Sequence, residues 1–388
     1  MMDLEEIEYL AGVGGTLIDR LFDDFDALVE VVAADGWPEA MVREGFRLHR
    51  RTWRVDDLLA AAKRELSPFL TPDSSLPTPP TSIVHIWPTL PGAGLTPVLF
   101  GALLGAEQSI RPSREAGGFA RYLRDVWYDL DAPLPPLELL DSAADWTFGD
   151  VVVVSGSDET IAAVEKELHD SVGGRRTTVT GYGHRVSFGV VPADTRRDPG
   201  EIAADLARDA VLWHQQGCLS LRAVVVVGDR GDAEAFAEPL GAAIAEVEEE
   251  LDAHIDDEGA LARRAQARSV ADIAGRRFGD GVGWAEVVDE PFDGSTPATQ
   301  VVTCHAVEGA DALDEVLALP AHHLQGVALA EPDDPDDRSR WHRRLADLGA
   351  TRICAPGDLQ APPAGWWHDG RPNLLEWLRF TTIDGAAG

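Results

Sequence analysis

From residue 3 to about 65, apolar residues recur at three- and four-residue spacing among Ala, Leu, Glu and Arg, and this period predicts a helical N-terminal segment. Pro and Ser then dominate LSPFLTPDSSLPTPPTS (66–82), which the pattern assigns to a connector. Beyond it, the short β-branched runs SIVHIW (82–87), DVVVV (150–154) and RAVVVV (222–227) are bounded by turn residues. Such runs predict strands buried on both faces. TPVLFGALLGAEQ (96–108), ETIAAVEKELHDSV (159–172) and PGEIAADLARDAVLWHQQ (199–216) carry helical spacing. A second set follows, with helices over 233–253, 309–320 and 338–351 and strands over 298–307, 324–331 and 352–356. GDGVGW (279–284) and PFDGSTP (291–297) read as loops. The alternation predicts an α/β protein with mainly parallel sheets, in two halves that divide near 205–220. The corresponding bounds are a helical segment over 1–75, one α/β domain over 76–208, a second over 209–370, and a tail over 371–388.

Composition narrows what this architecture does. With 45% apolar and 26% charged residues the 388-residue chain is ordinary for a globular protein of two cores. Its balance of 33 basic to 67 acidic residues, a net charge of −34, is not ordinary. A nucleic-acid binder needs a basic face to neutralise phosphates, and this chain has none. The acid reads as a solvated surface, or more sharply as adaptation to a salty cytoplasm, where self-repulsion is screened within about 3 Å at about 1 M salt. Three scattered cysteines, Cys218, Cys304 and Cys354, make no disulfide framework. The acidic start MMDLEEIEYLAG lacks the apolar core of a signal peptide, and no run reaches the length of a membrane span. These features predict a cytoplasmic, soluble protein.

Three segments carry candidate chemistry. In GCLSLR (217–222), Cys218 lies between a long helix and an apolar strand. It is either a thiolate nucleophile, with Gly217 giving close access, or a buried structural cysteine. In VVVVSGSDETIAAV (151–164) a strand runs through Ser-Gly-Ser into a helix. That helix start can seat a phosphate, or Ser157 can simply cap it. It is not a GxGxxG fingerprint. GYGHRVSF (181–188) sets His184 and Arg185 either toward an anionic ligand or along a turn. Cys304-His305 and His322-His323 lack metal-ligand spacing, and neighbours on a strand point to opposite faces, so no metal site is expected.

Taken in order, HIWPTLPG (85–92), LLGAEQSIRPS (103–113), DVVVVSGSDETI (150–161), YGHRVSFGVV (182–191), DAVLWHQQGCLSLR (209–222) and WWHDGRPNLLEWL (366–378) resemble the acyl-CoA reductases of the LuxC type, a branch of the aldehyde-dehydrogenase superfamily. The resemblance runs from about residue 80 onward. It implies an aldehyde-dehydrogenase-like fold, with a Rossmann-like cofactor domain, a catalytic domain carrying the cysteine, and a small oligomerisation element. Cys218 would be acylated by an acyl-CoA or acyl-carrier thioester, and NADP(H) would reduce the acyl-enzyme to an aldehyde. The cofactor would meet Ser113, Gly156, Ser157 and Gly183, with Arg111 where the superfamily has a Lys, still able to reach a 2′-phosphate. His184 and Arg185 would lie on the substrate side.

Aldehyde-oxidising members place a water-activating Glu in the segment matching GYGHRVSF, and no carboxylate occurs there. Thr89 stands where the family has an oxyanion-donating Asn, and Leu221-Arg222 follows Ser220 where the family has Pro-Gln. The helix before Cys218 would turn its negative end toward the thiol. The same resemblance allows two alternatives, an aldehyde-oxidising dehydrogenase and a catalytically weak acyl-binding scaffold. It also implies a homo-oligomer and an acyl-transferring partner enzyme.

Overall fold

A computed structural model describes residues 4–69, 75–140, 149–171 and 177–382, which fall into two compact units. The first comprises residues 1–37, 46–184 and 363–388, and the second residues 38–45 and 185–362. Residues 70–74 of the expected connector, residue 172 of an expected helix and residues 383–388 of the tail lie outside the described residues.

The first unit begins with helices α1 (Leu4–Leu21), α2 (Phe25–Ala33), α3 (Glu39–Thr52) and α4 (Val55–Leu66), as the helical period predicted; the first turns of α3 count with the second unit. Their apolar faces share one core with the sheet helices. Phe46 lies 5.3 Å from Phe119 and Phe119 stacks on Trp87, so residues 46–69 belong to this unit's core and form no separate domain. The sheet has five parallel strands in the order β4 (Leu137–Leu139), β3 (Glu107–Arg111), β2 (Ser82–Ile86), β5 (Val151–Ser155), β6 (Thr178–Tyr182). Helices α5 (Leu95–Leu103), α6 (Gly117–Asp129) and α7 (Asp158–Ser171) connect them. The order reverses between β2 and β5. In such sheets the loops at the carboxyl ends of the strands flanking that reversal open a ligand crevice.

Two expectations change here. The run over 96–108 is not one helix: α5 ends at Leu103 and Glu107 opens β3, because Gly105 turns the chain at φ 69°. The Pro- and Ser-rich stretch over 66–82 contains a strand, β1 (Ser75–Thr78), paired antiparallel with β14 (Arg379–Thr382). Pro is tolerated there because a two-stranded ribbon is all edge.

The second unit carries seven strands in the order β13 (Arg352–Cys354), β12 (Leu324–Leu329), β7 (Val186–Val191), β8 (Leu221–Val227), β11 (Val301–Val307), β10 (Trp284–Val287), β9 (Arg277–Phe278). All pair in parallel except the edge strand β9. One face packs Val186, Phe188, Val190, Ala223 and Val225 against Trp341 and Leu345 of α12 (Pro335–Asp347). Helix α8 (Pro199–Val211) is the crossover from β7 to β8, and α9 (Arg230–Glu250) packs along it. The units therefore divide between residues 184 and 185 and between 362 and 363, not at 208–209 and 370–371, since a cut at 208 would run through α8. Helix α10 (Glu258–Ala274) precedes β9. The helix expected over 309–320 shrinks to a 3-10 turn and the single turn α11 (Leu313–Val316).

Candidate active site

Cys218 sits immediately before β8 on a turn that the second unit braces heavily. Helix α8 stops at Val211, short of the expected 216, and Trp213, His214 and Gln215 then take φ values of 57°, 52° and 59°. Three adjacent non-glycine residues in the left-handed region cost about 1–2 kcal/mol each. Side chains offset that cost. Gln215 Nε2 donates to the Leu221 carbonyl at 2.7 Å and the Val301 carbonyl at 3.1 Å, while its Oε1 accepts from Gln300 N–H at 2.8 Å. Trp213 is buried, with its ring against Gly45, where any Cβ would overlap it. This reversal separates the carboxyl end of α8 from the thiol, so the helix does not run its negative end straight into Cys218 as the sequence implied.

The Gly217–Ser220 turn is fixed by two hydroxyls. Ser220 Oγ accepts from Gly217 N–H at 3.0 Å and from Gln360 Nε2 at 2.9 Å. Ser187 Oγ donates to the Cys218 carbonyl at 2.8 Å and accepts from Gly326 N–H at 3.0 Å. Behind them, buried Asp209 accepts from Gly357 and Leu359 N–H, and burial pushes its carboxyl up to about 8. Cys218 itself is half-buried. Burial pushes the thiols of Cys304 and Cys354 up to about 12, so both stay protonated near neutral pH.

In the first unit, Thr89, Arg111, Ser113, Gly156, Ser157, Gly183 and His184 all follow or end the parallel strands at their carboxyl edge. Thr89 is exposed in the turn after β2. Ser113 Oγ donates to the Pro88 carbonyl at 3.0 Å and Trp87 N–H to the Arg111 carbonyl at 3.0 Å, which ties the turn to the end of β3. The half-buried Arg111 side chain makes no hydrogen bond or ion pair with another described residue. Ser157 Oγ accepts from Thr160 N–H at 3.2 Å and so caps α7, the plainer of its two readings. Asp158 Oδ1 accepts from His184 N–H at 2.8 Å, and a Cβ on Gly183 would collide with that carboxylate, hence the glycine. Arg185 opens the second unit.

Sequence reasoning gave no role to the C-terminal segment that closes this edge. His368 stacks on Tyr182 at 3.9 Å with the rings 8° apart, and Trp366 stacks on His368 at 4.9 Å. Arg371 Nη2 donates to the Gly181 carbonyl at 2.7 Å, and burial pushes the Tyr182 hydroxyl's pKa up. The signal was present in WWHDGRPN, but only the fold carries that segment back to the end of β6. No group of three or more His, Cys, Asp or Glu is placed to hold a metal among the described residues. No helix of the described residues is long and apolar enough to cross a membrane.

The sequence model of the acyl-CoA reductase (LuxC) family matches residues 137–380, which is most of the chain and includes the Cys218 turn. The chain belongs to this family. Its fold is aldehyde-dehydrogenase-like. A NAD-dependent aldehyde dehydrogenase of Sinorhizobium meliloti superposes with a TM-score of 0.70 at 16% identity, over 98% of this chain and 82% of that one. A NAD-dependent benzaldehyde dehydrogenase of Corynebacterium glutamicum does so with 0.69 at 15%, over 99% and 85%. A structure described as a methylmalonate-semialdehyde dehydrogenase of Sinorhizobium meliloti 1021 complexed with NAD gives 0.68 at 15%, over 98% and 85%. Identities this low speak for the fold alone. Curated proteins yield no match. Family and fold together make this LuxC-family chain an oxidoreductase acting on aldehydes or acyl groups.

Proposed function

We propose that this chain reduces an acyl thioester, carried by CoA or an acyl carrier, to the free aldehyde, with Cys218 as nucleophile and NADPH as reductant. The observation that carries the reading is a half-buried cysteine on a braced turn in an acyl-CoA reductase family chain, beside two thiols that burial keeps protonated. Cys218 Sγ attacks the acyl carbonyl, the carrier thiolate leaves with the electron pair of its C–S bond, and a thioester remains on Sγ. NADPH, when bound, supplies a hydride to that thioester carbon. The tetrahedral oxyanion then re-forms its C=O bond and expels the Cys218 thiolate.

The residues of the first unit fit the cofactor. Arg111 is a cation without a described partner at the carboxyl edge of the sheet, suited to a 2′-phosphate. The Gly156–Ser157 turn and Gly183 lie at the same edge. Thr89, exposed after β2, offers a hydroxyl to the developing oxyanion. No carboxylate of 181–188 can activate water for hydrolysis to the acid, which supports reduction over aldehyde oxidation. His184 and Arg185 belong to the substrate side of this reading. A reactive thiolate suits a reducing cytoplasm, and the acyl group would come from a transferring enzyme. The superfamily's habit argues for a homo-oligomer.

The deciding experiment is intact-mass spectrometry in high salt after mixing the protein with a panel of acyl-CoAs, beside Cys218→Ala. An acyl adduct on the wild type alone, discharged by NADPH with aldehyde release, is the expected result. No adduct with any donor would remove Cys218 as nucleophile and leave an acyl-binding scaffold.

A further inference from the structure

Arg222 follows Cys218 by four residues and occupies the second position of β8. The β7–β8 pairing shifts register here: Ser187 pairs with Leu221 and Phe188 with Ala223, which leaves Arg222 as the extra residue of a bulge beside the apolar core of Ala223, Val225, Phe188 and Val190. Its Nε is enclosed and makes no hydrogen bond with any described residue. No carboxylate of the described residues forms an ion pair with it, although the chain carries 67 acids. Burial works against its guanidinium, and the one opposing charge acting on it is Cys218. A half-buried cation with an enclosed, unpartnered Nε and no carboxylate beside it is costly to keep, and an anion forming nearby offsets that cost.

We propose that Arg222 is the positioning residue for the nucleophile: its guanidinium is the counter-charge of the Cys218 thiolate. The inference rests on Cys218 being the acylated residue. The groups around the turn with named partners are neutral or engaged elsewhere. Ser187 on β7 and Ser220 in the turn are neutral hydroxyls, and Gln360 is a neutral amide. Asp209 on α8 directs its carboxylate to Gly357 and Leu359, and its charged neighbour is Arg352. Among its charged neighbours, His214 has Arg264 and Asp256, and burial keeps it neutral near pH 7. In the reaction, the Cys218 S–H proton goes to solvent, and the thiolate beside Arg222 adds to the acyl carbon. After hydride addition the C–S bond breaks and its electron pair returns to Sγ, again opposite the guanidinium, which makes Sγ the better leaving group.

The test is the rate of iodoacetamide alkylation of the full-length protein from pH 5 to 10, with Cys218→Ala as the blank. Cys304 and Cys354, held protonated to about 12, do not contribute in this range. The wild-type rate should reach half its maximum at least one unit below the roughly 8.5 of a free cysteine. Arg222→Gln should raise that midpoint by about one unit or more, and Arg222→Lys should restore part of the difference. A purely structural role would slow alkylation at every pH without moving the midpoint. A wild-type midpoint at or above about 8.5, or an unmoved midpoint in Arg222→Gln, would overturn the proposal. Should Arg222→Gln fail to fold, the wild-type midpoint and Arg222→Lys decide. Alkylation needs no acyl donor, so a low midpoint with no acyl adduct would sink the acyl reductase reading and leave the Arg222 pairing standing.

Discussion

At the scale of single residues, the turn before Cys218 is where local preference and tertiary structure disagree most. Helical spacing over 199–216 is real, yet three residues adopt left-handed angles because Gln215 and Trp213 are held from outside the segment. Two predictions follow from that grip. Gly45→Ala forces a methyl group into the Trp213 ring and should cost about 1–3 kcal/mol in urea denaturation. Gln215→Ala leaves three buried backbone groups unmatched and should destabilise by about 3 kcal/mol or more, with a loss of Cys218 acylation that exceeds the loss of fold. Thr89 tests the chemistry instead. It is exposed, so Thr89→Val should leave the melting temperature unchanged, while NADPH oxidation with an acyl donor slows about tenfold to a hundredfold. An unchanged rate would exclude its hydroxyl as oxyanion donor.

At the scale of elements, hydrophobic period found the N-terminal helices, α7, α8, α9 and α12 but not α6 or α10, and it found the all-Val strands, because a strand buried on both faces must be apolar throughout. It missed β1, β3, β4, β6, β9, β10 and β14, which are short or carry polar residues such as Gln108 and Glu286. Gln108 is an instance: its Oε1 meets His85 Nε2 across the neighbouring strand at 2.8 Å, so a polar residue is buried without loss. The C-terminal segment is the clearest case of tertiary placement. Glu65 of α4 accepts from the N–H groups of Asn373, Leu374 and Leu375 at 3.0, 2.7 and 3.3 Å, and its side chain is fully buried. Glu65→Ala strands three donors at once and should lower stability by about 3–5 kcal/mol. Limited proteolysis should then cut first around residues 366–378, and a wild-type cleavage pattern would refute this anchoring role.

At the scale of the whole molecule, charge and burial make opposing pH dependences. Burial lowers His49, His85, His214 and His305 from 6.5 to about 4. Between those values the unfolded chain binds protons that the folded chain refuses, so stability rises with pH across that window. Asp209 has the opposite sign. Its folded value of about 8 lies above the ordinary 3.8, so the folded state holds a proton that the unfolded state has lost, and stability falls as pH rises through that range. Four imidazoles, still half protonated in the unfolded chain at pH 6.5, outweigh one carboxyl up to about pH 7, above which Asp209 prevails. The urea midpoint should therefore peak at about pH 7 and decline toward 8, and Asp209→Asn should flatten that decline. The net charge of −34 adds a salt dependence. Raising KCl from 0.1 to 1 M shortens screening from about 10 to about 3 Å and should raise the melting temperature by several degrees. An unchanged melting temperature would reduce the acid to surface solvation.

What the sequence determined by itself is the alternation of buried strands and amphipathic helices, the family motifs and the candidacy of Cys218, because each is written in a contiguous run of residues. The carboxyl edge shared by Thr89, Arg111, Gly156 and Gly183 needed strand order, which no local period encodes. The left-handed turn, the Glu65 anchor, the His368–Tyr182 stack and the enclosed Nε of Arg222 needed packing across tens to hundreds of residues. Burial is a property of the folded neighbourhood. It holds two thiols protonated, raises one carboxyl and lowers four imidazoles, with no mark on the residues themselves.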